Sequence, residues 1–147
     1  MDKFEPKIIA FCCHYCAYSA ADLAGSSRLQ YPPNVRIVRT PCTGRLEIDY
    51  YMKAFENGID GVLVAGCEEG SCHFKDGNLL AKRRVNSIRV VLAEAGIEAE
   101  RLRMVNVSAS MARPLVEYIK EMVETVRKLG PVKVKETINQ TPTGAKP

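Results

Sequence analysis

The chain has 147 residues, 46% of them hydrophobic and 26% charged, with a formal net charge of +4. That length suits one domain with a core large enough to fold without a disulfide or metal staple. The mild charge and a single basic triplet, Lys82-Arg83-Arg84, argue against a nucleic-acid surface and are explained by a solvated helix face.

Lys7-Ile8-Ile9-Ala10-Phe11-Cys12 is a continuous apolar run, the pattern of a strand buried on both faces. A helix is predicted over 18–29, with Ser19 and Asp22 as a capping pair, and Tyr31-Pro32-Pro33-Asn34 breaks it. Residues 35–39 form a second strand in which Arg36 and Arg39 interrupt the apolar residues, as at a sheet edge. A helix over 46–57 presents Ile48, Tyr51, Met52 and Phe55 at helical spacing, with Gly58 at its C-terminal cap. Gly61-Val62-Leu63-Val64-Ala65 is the third strand. The spacing then predicts a helix over 78–95 with Val85, Ile88, Leu92 and Ala95 inward, and a strand over 102–107. A last helix is capped by Ser108 or Ser110 and runs to about Leu129, with Leu115, Ile119, Met122, Val123 and Val126 inward.

Strict alternation of strand and helix means a parallel sheet with helices on both faces. The expected fold is an α/β, flavodoxin- or Rossmann-like three-layer domain with a four-stranded parallel sheet, over residues 1–130. Residues 131–147, rich in proline and alternating charges, are expected to form a flexible C-terminal tail. No run approaches the roughly 18 apolar residues of a membrane span, and the first residues lack the apolar stretch of a secretory signal. The expected location is cytoplasmic, where thiols stay reduced and clustered cysteines serve as metal ligands or redox groups.

All six cysteines lie in three stations at strand ends: Phe11-Cys12-Cys13-His14-Tyr15-Cys16, Pro41-Cys42-Thr43-Gly44-Arg45 and Gly66-Cys67-Glu68-Glu69-Gly70-Ser71-Cys72-His73. Ligands of open α/β sheets bind beyond the carboxyl ends of the strands, so three such stations on neighbouring strands converge at one edge. Cys13-x-x-Cys16 lets two thiolates grip one centre, and the other loops complete the set. Thiolates are the ligands of iron–sulfur clusters and of structural zinc. Buried cysteine is also a common core filler, an explanation that suits Cys12 or Cys67 singly better than all six together. A zinc-stapled interaction module and a thiol–disulfide oxidoreductase are the alternatives. Phosphate-binding glycine motifs, a nucleophile elbow and a paired-carboxylate site are lacking in the sequence, so a redox centre is expected without a substrate site beside it, and no catalytic residue is assigned.

Phe11-Cys12-Cys13-His14-Tyr15-Cys16-Ala17-Tyr18, Ala21-Asp22-Leu23-Ala24-Gly25, Tyr31-Pro32-Pro33-Asn34-Val35-Arg36, Cys42-Thr43-Gly44-Arg45, residues 60–67, Gly70-Ser71-Cys72-His73-Phe74, Gly77-Asn78 and Arg83-Arg84 resemble the delta subunit of methyl-viologen-reducing hydrogenase over about residues 7–129. The resemblance implies a [2Fe–2S] cluster and an anaerobic electron-transfer subunit with little catalytic role of its own. Its partners would be a hydrogenase or formate dehydrogenase on one side and the flavin subunit of a heterodisulfide reductase-like, electron-bifurcating complex on the other. Such a cluster needs four protein ligands. Cys13 and Cys16 are chosen for their spacing, Cys42 as the sole thiol of its loop and Cys72 as the less strand-bound of its pair. Cys12 and Cys67 are held in reserve as ligands or as neighbours that tune the cluster. His14, Arg45 and His73 are expected to support it by hydrogen bonds or charge.

Overall fold

The computed structural model describes residues 4–68 and 76–133. Four strands, β1 (Ile8–Cys13), β2 (Val35–Thr40), β3 (Gly61–Gly66) and β4 (Leu102–Asn106), alternate with four helices, α1 (Ala17–Ser26), α2 (Ile48–Glu56), α3 (Gly77–Glu94) and α4 (Ala112–Leu129). All strand pairs are parallel and the spatial order is β2-β1-β3-β4. This is the four-stranded, doubly wound sheet expected from the alternation. β3, apolar throughout its core, is buried at every position. β2 is an edge strand and exposes Arg36 and Arg39, as their placement among apolar residues requires.

The core has two layers. On one face Ile8, Ala10, Leu63 and Ala65 meet Ala17 and Ala20 of α1 and Leu115, Ile119, Met122, Val123 and Val126 of α4. On the other, Phe11, Val62 and Val64 meet Tyr51 and Phe55 of α2 and Val85, Ile88 and Leu92 of α3. The alternation of inward residues along β1 and β3 divides the apolar runs between these layers.

Three local expectations are corrected. α1 begins at Ala17 with Cys16 at its N-cap, so Ser19 falls inside the first turn and its hydroxyl donates back to the His14 carbonyl at 3.4 Å. α4 begins at Ala112 after Met111. Ser108 and Ser110 bond one another at 3.2 Å and cap nothing. In α2 the buried residues are Tyr51, Ala54 and Phe55, while Ile48, the first helical residue, is 53% exposed. Gly58, by contrast, takes the positive φ (85°) expected just past α2.

At the amino end of the sheet, Arg101 is fully buried. Its guanidinium donates to the carbonyls of Asp60 (3.0 Å) and Gly130 (2.8 Å) and to the Glu98 carboxylate (2.6 Å). The Asp60 carboxylate accepts the backbone N–H groups of Lys7 and Val132, both at 2.9 Å. Residues 130–132 are thereby tied to the pole opposite the cysteines, and residues 134–147 of the expected tail lie outside the described residues.

Candidate metal centre

In a sheet ordered β2-β1-β3-β4, the chain turns from one direction to the other between β1 and β3, and the crevice beyond their carboxyl ends is where such folds bind ligands. Cys13 is the last residue of β1, and Cys67 is the first residue after β3. Their sulfurs lie 3.6 Å apart. Cys16, three residues on at the start of α1, completes a set in which all three sulfurs are within 4.8 Å of one another. Two thiolates on one tetrahedral metal, with metal–sulfur bonds of about 2.3 Å, stand about 3.8 Å apart. Both the chemistry and the spacing of this donor set therefore fit a thiolate-bound metal centre. Cys13 and Cys67 are buried and Cys16 is half-buried, so the set faces solvent on the Cys16 side.

Electrostatics favour metal over free thiolates. Burial first, then hydrogen bonding and charge from Cys16 and Cys13, pushes the Cys67 thiol well above its ordinary 9.0. A cation among the three sulfurs would balance the charge that thiolate ligands bring. The chain does supply partial compensation: the Ala17 N–H, at the positive end of α1, donates to the Cys13 sulfur at 3.3 Å.

The remaining sequence candidates are placed as follows. Cys12 is wholly buried, and burial followed by the neighbouring Cys13 pushes its thiol up to about 12. Cys42 is buried outside the three-sulfur set and accepts the Gly44 N–H at 3.4 Å, within a 3₁₀ turn, Thr43–Arg45. His14 is exposed with its ring edge-to-face on Tyr15 at 4.9 Å. Arg45 is exposed at the end of its turn. Cys72 and His73 lie outside the described residues.

Other residues hold the cysteine loops, and the sequence did not single out these roles. Asn78, 1% exposed in the first turn of α3, donates to the carbonyls of Cys67 (3.0 Å) and Glu68 (2.9 Å). Asn106, ending β4, donates to the same Cys67 carbonyl at 2.6 Å. Arg84 turns inward from the basic triplet and donates to the carbonyls of Gly44 and, at 3.2 Å, Leu46. A Cβ on Gly44 would stand 2.8 Å from the Gly77 backbone, so only glycine lets the Cys42 loop rest on the start of α3. α3 thus joins the second and third cysteine stations. An asparagine just after a glycine at a helix start was the one visible signal.

Comparison with known proteins gives the family. The iron-sulfur subunit of the F420-non-reducing hydrogenase of Archaeoglobus profundus is 46% identical over 132 residues, 90% of this chain and 96% of its own. The vhu iron-sulfur subunit of the F420-non-reducing hydrogenase of Methanocaldococcus jannaschii is 49% identical over 127 residues, 86% of this chain and 95% of its own. One chain of the Ferredoxin/F(420)H(2)-dependent CoB-CoM heterodisulfide reductase of Methanosarcina acetivorans is 40% identical over 127 residues, 86% of this chain but only 16% of that longer protein. The family model for the methyl-viologen-reducing hydrogenase delta subunit matches residues 8–130, nearly the whole described fold, and the chain belongs to that family.

Proposed function

We propose that this protein is a one-electron relay that carries a [2Fe–2S] cluster between a hydrogenase- or formate dehydrogenase-type donor and the flavin subunit of a heterodisulfide reductase-like, electron-bifurcating complex. The meeting of Cys13, Cys16 and Cys67 at the sheet's switch point carries this reading. The names of the relatives support it: several are iron–sulfur subunits of hydrogenases. In two others the matching segment is one part of a longer heterodisulfide reductase chain, so a domain of this kind is built into that enzyme.

Cys13, Cys16 and Cys67 supply three ligands in this proposal. Cys72 supplies the fourth, since five residues of chain from Cys67 span at most about 18 Å. Cys42 is the competing fourth ligand. When bound, the cluster supplies a reversible one-electron couple. The chain's own residues hold the thiolates, keep water from Cys13 and Cys67, and leave the Cys16 side open for a partner. No described helix is long and apolar enough to cross a membrane, and the proposed setting is the anaerobic cytoplasm. Residues 1–130 form the proposed cluster domain, with 131–147 as an appended arm.

Iron, zinc and acid-labile sulfide analysis of anaerobically purified protein, with EPR after dithionite reduction, tests this reading. About two irons and two sulfides per chain with a [2Fe–2S] signal are expected. The three sulfurs are compact enough for a single tetrahedral ion, so zinc without sulfide would replace the relay with a structural module.

A further inference from the structure

The Cys67 carbonyl is held in an unusual way. Gly66, one residue earlier, still accepts a bond of sheet type from Val107 N–H at 2.9 Å. Past that point β3 has ended, and the Cys67 carbonyl instead accepts two side-chain amides from two different elements: Asn78 of α3 at 3.0 Å and Asn106 of β4 at 2.6 Å. Asn78 uses its whole amide. Its second donated bond goes to the Glu68 carbonyl at 2.9 Å, and its oxygen accepts the Leu79 N–H at 2.9 Å. Both lone pairs of the Cys67 carbonyl are therefore occupied by neutral donors, in the same residue as a thiol that touches Cys13.

We propose that Asn78 and Asn106 are positioning residues for the metal centre: they fix the Cys67–Glu68 peptide, hold the Cys67 sulfur against Cys13, and tune the centre by neutralising the nearest carbonyl dipoles. This rests on the reading of Cys67 as a ligand. A planar peptide cannot turn its carbonyl without turning the following N–H to the opposite side, so the two amides set the direction of the whole dipole beside the sulfur. Without them the carbonyl oxygens of Cys67 and Glu68 present uncompensated negative ends near the thiolates. The more negative, reduced state of the centre is then disfavoured, and the potential falls. Outer hydrogen bonds of this kind tune metal sites generally.

The test is anaerobic redox titration, followed by EPR, of wild type, Asn78→Leu and Asn106→Leu, with Val85→Ala as a control that loosens the core away from Cys67. Expected is a lowered potential in both asparagine variants, by about tenfold in the one-electron equilibrium constant or about 59 mV, with the control unmoved. An unchanged potential and spectrum in both variants at full iron and sulfide content overturns the proposal, as does an equal shift in Val85→Ala. If a variant loses its iron, or if wild type holds no iron and sulfide and the cluster reading itself fails, Cd²⁺ titration of the metal-free thiols decides. An affinity at least tenfold weaker in the asparagine variants than in Val85→Ala supports positioning, and equal affinities overturn it.

Discussion

Cys13 and Cys67 are 54 positions apart in sequence and hold their sulfurs 3.6 Å apart. The parallel pairing of β1 with β3 prepares this contact: Cys12 lies level with Ala65, so Cys13 leaves β1 beside Gly66, the last residue of β3, and Cys67 follows directly. Cys12, one position earlier, is enclosed in the core between the sheet and its helices. Adjacent cysteines on a strand point in different directions, and here the Cys13 sulfur meets Cys67 and Cys16 whereas Cys12 lies outside that set. Cys67→Ser is expected to lose most of its iron and sulfide, whereas Cys12→Ala retains them at a folding cost of about 1 kcal/mol. Metal and sulfide analysis of the two purified variants checks this; equal retention would remove Cys67 from the ligand set.

Metal capture by these thiols must displace protons, because burial raises the Cys67 thiol above its ordinary value. The sign follows: as pH falls, protons compete more strongly and apparent metal affinity drops, while rising pH favours the metal-bound form. Titrating the metal-free protein with Cd²⁺ in a weak buffer with a pH indicator is expected to release about two to three protons per ion near neutrality. Removing the metal with a chelator is expected to lower the melting temperature. Release of no protons would mean that the thiols are not the donors.

Much of this arrangement was legible in the chain. Buried parallel strands are continuous apolar runs, so β1 and β3 stand out, and stations at their ends must share one sheet edge. The basic residues of β2 identified an edge strand because a charged side chain tolerates only a solvated face. What stayed hidden acts over distance. Asn78 reaches back 11 positions to Cys67, Asn106 reaches 39 and Arg84 reaches 40 to Gly44. Beyond the glycine before Asn78 at its helix start, local composition does not distinguish an asparagine that clamps a distant carbonyl from one that faces water. The caps failed for a related reason: Cys16 occupies the start of α1, displacing the serine that local propensity favours. Cys67 was held in reserve because it follows an entirely buried strand, and the structure places it one residue past the last strand position, with its sulfur against Cys13 at the crevice.

The opposite pole gives an independent stability prediction. Arg101 donates to backbone carbonyls at Asp60 and Gly130 and to Glu98. Arg101→Ala leaves the buried Asp60 carbonyl unsatisfied and opens a cavity, an expected loss of about 3 kcal/mol in urea denaturation. Glu98 adds an acid-side dependence. The Arg101 hydrogen bond holds its carboxyl below the ordinary 4.5 against a smaller opposing effect of burial. A depressed carboxylate contributes stability that is present above its unfolded value and lost as pH falls through the folded one. Glu98→Gln is therefore expected to flatten the stability profile below about pH 4.5 and leave the metal content of the cysteine site unchanged.

Tyr51 offers a substitution expected to stabilise. Its side chain is fully buried, with its ring edge-to-face on Phe11 at 6.1 Å, and its hydroxyl has no hydrogen-bond partner among the described residues. A buried hydroxyl without a partner costs about 1–3 kcal/mol relative to a satisfied one, whereas phenylalanine keeps the ring contact and removes the group. Burial also raises the phenol above its ordinary 10.0, and the nearby Arg84 charge opposes only part of that rise. The unfolded chain therefore releases this proton at lower pH than the folded one, so stability is present below about pH 10 and is lost as pH rises beyond it. Tyr51→Phe is expected to gain about 1 kcal/mol at neutral pH and to widen its advantage above pH 10. Urea midpoints of both proteins at neutral pH and at a pH just above 10 measure this. A less stable Tyr51→Phe at neutral pH would show that the hydroxyl is satisfied in solution and contributes to the packing of α2 against Phe11.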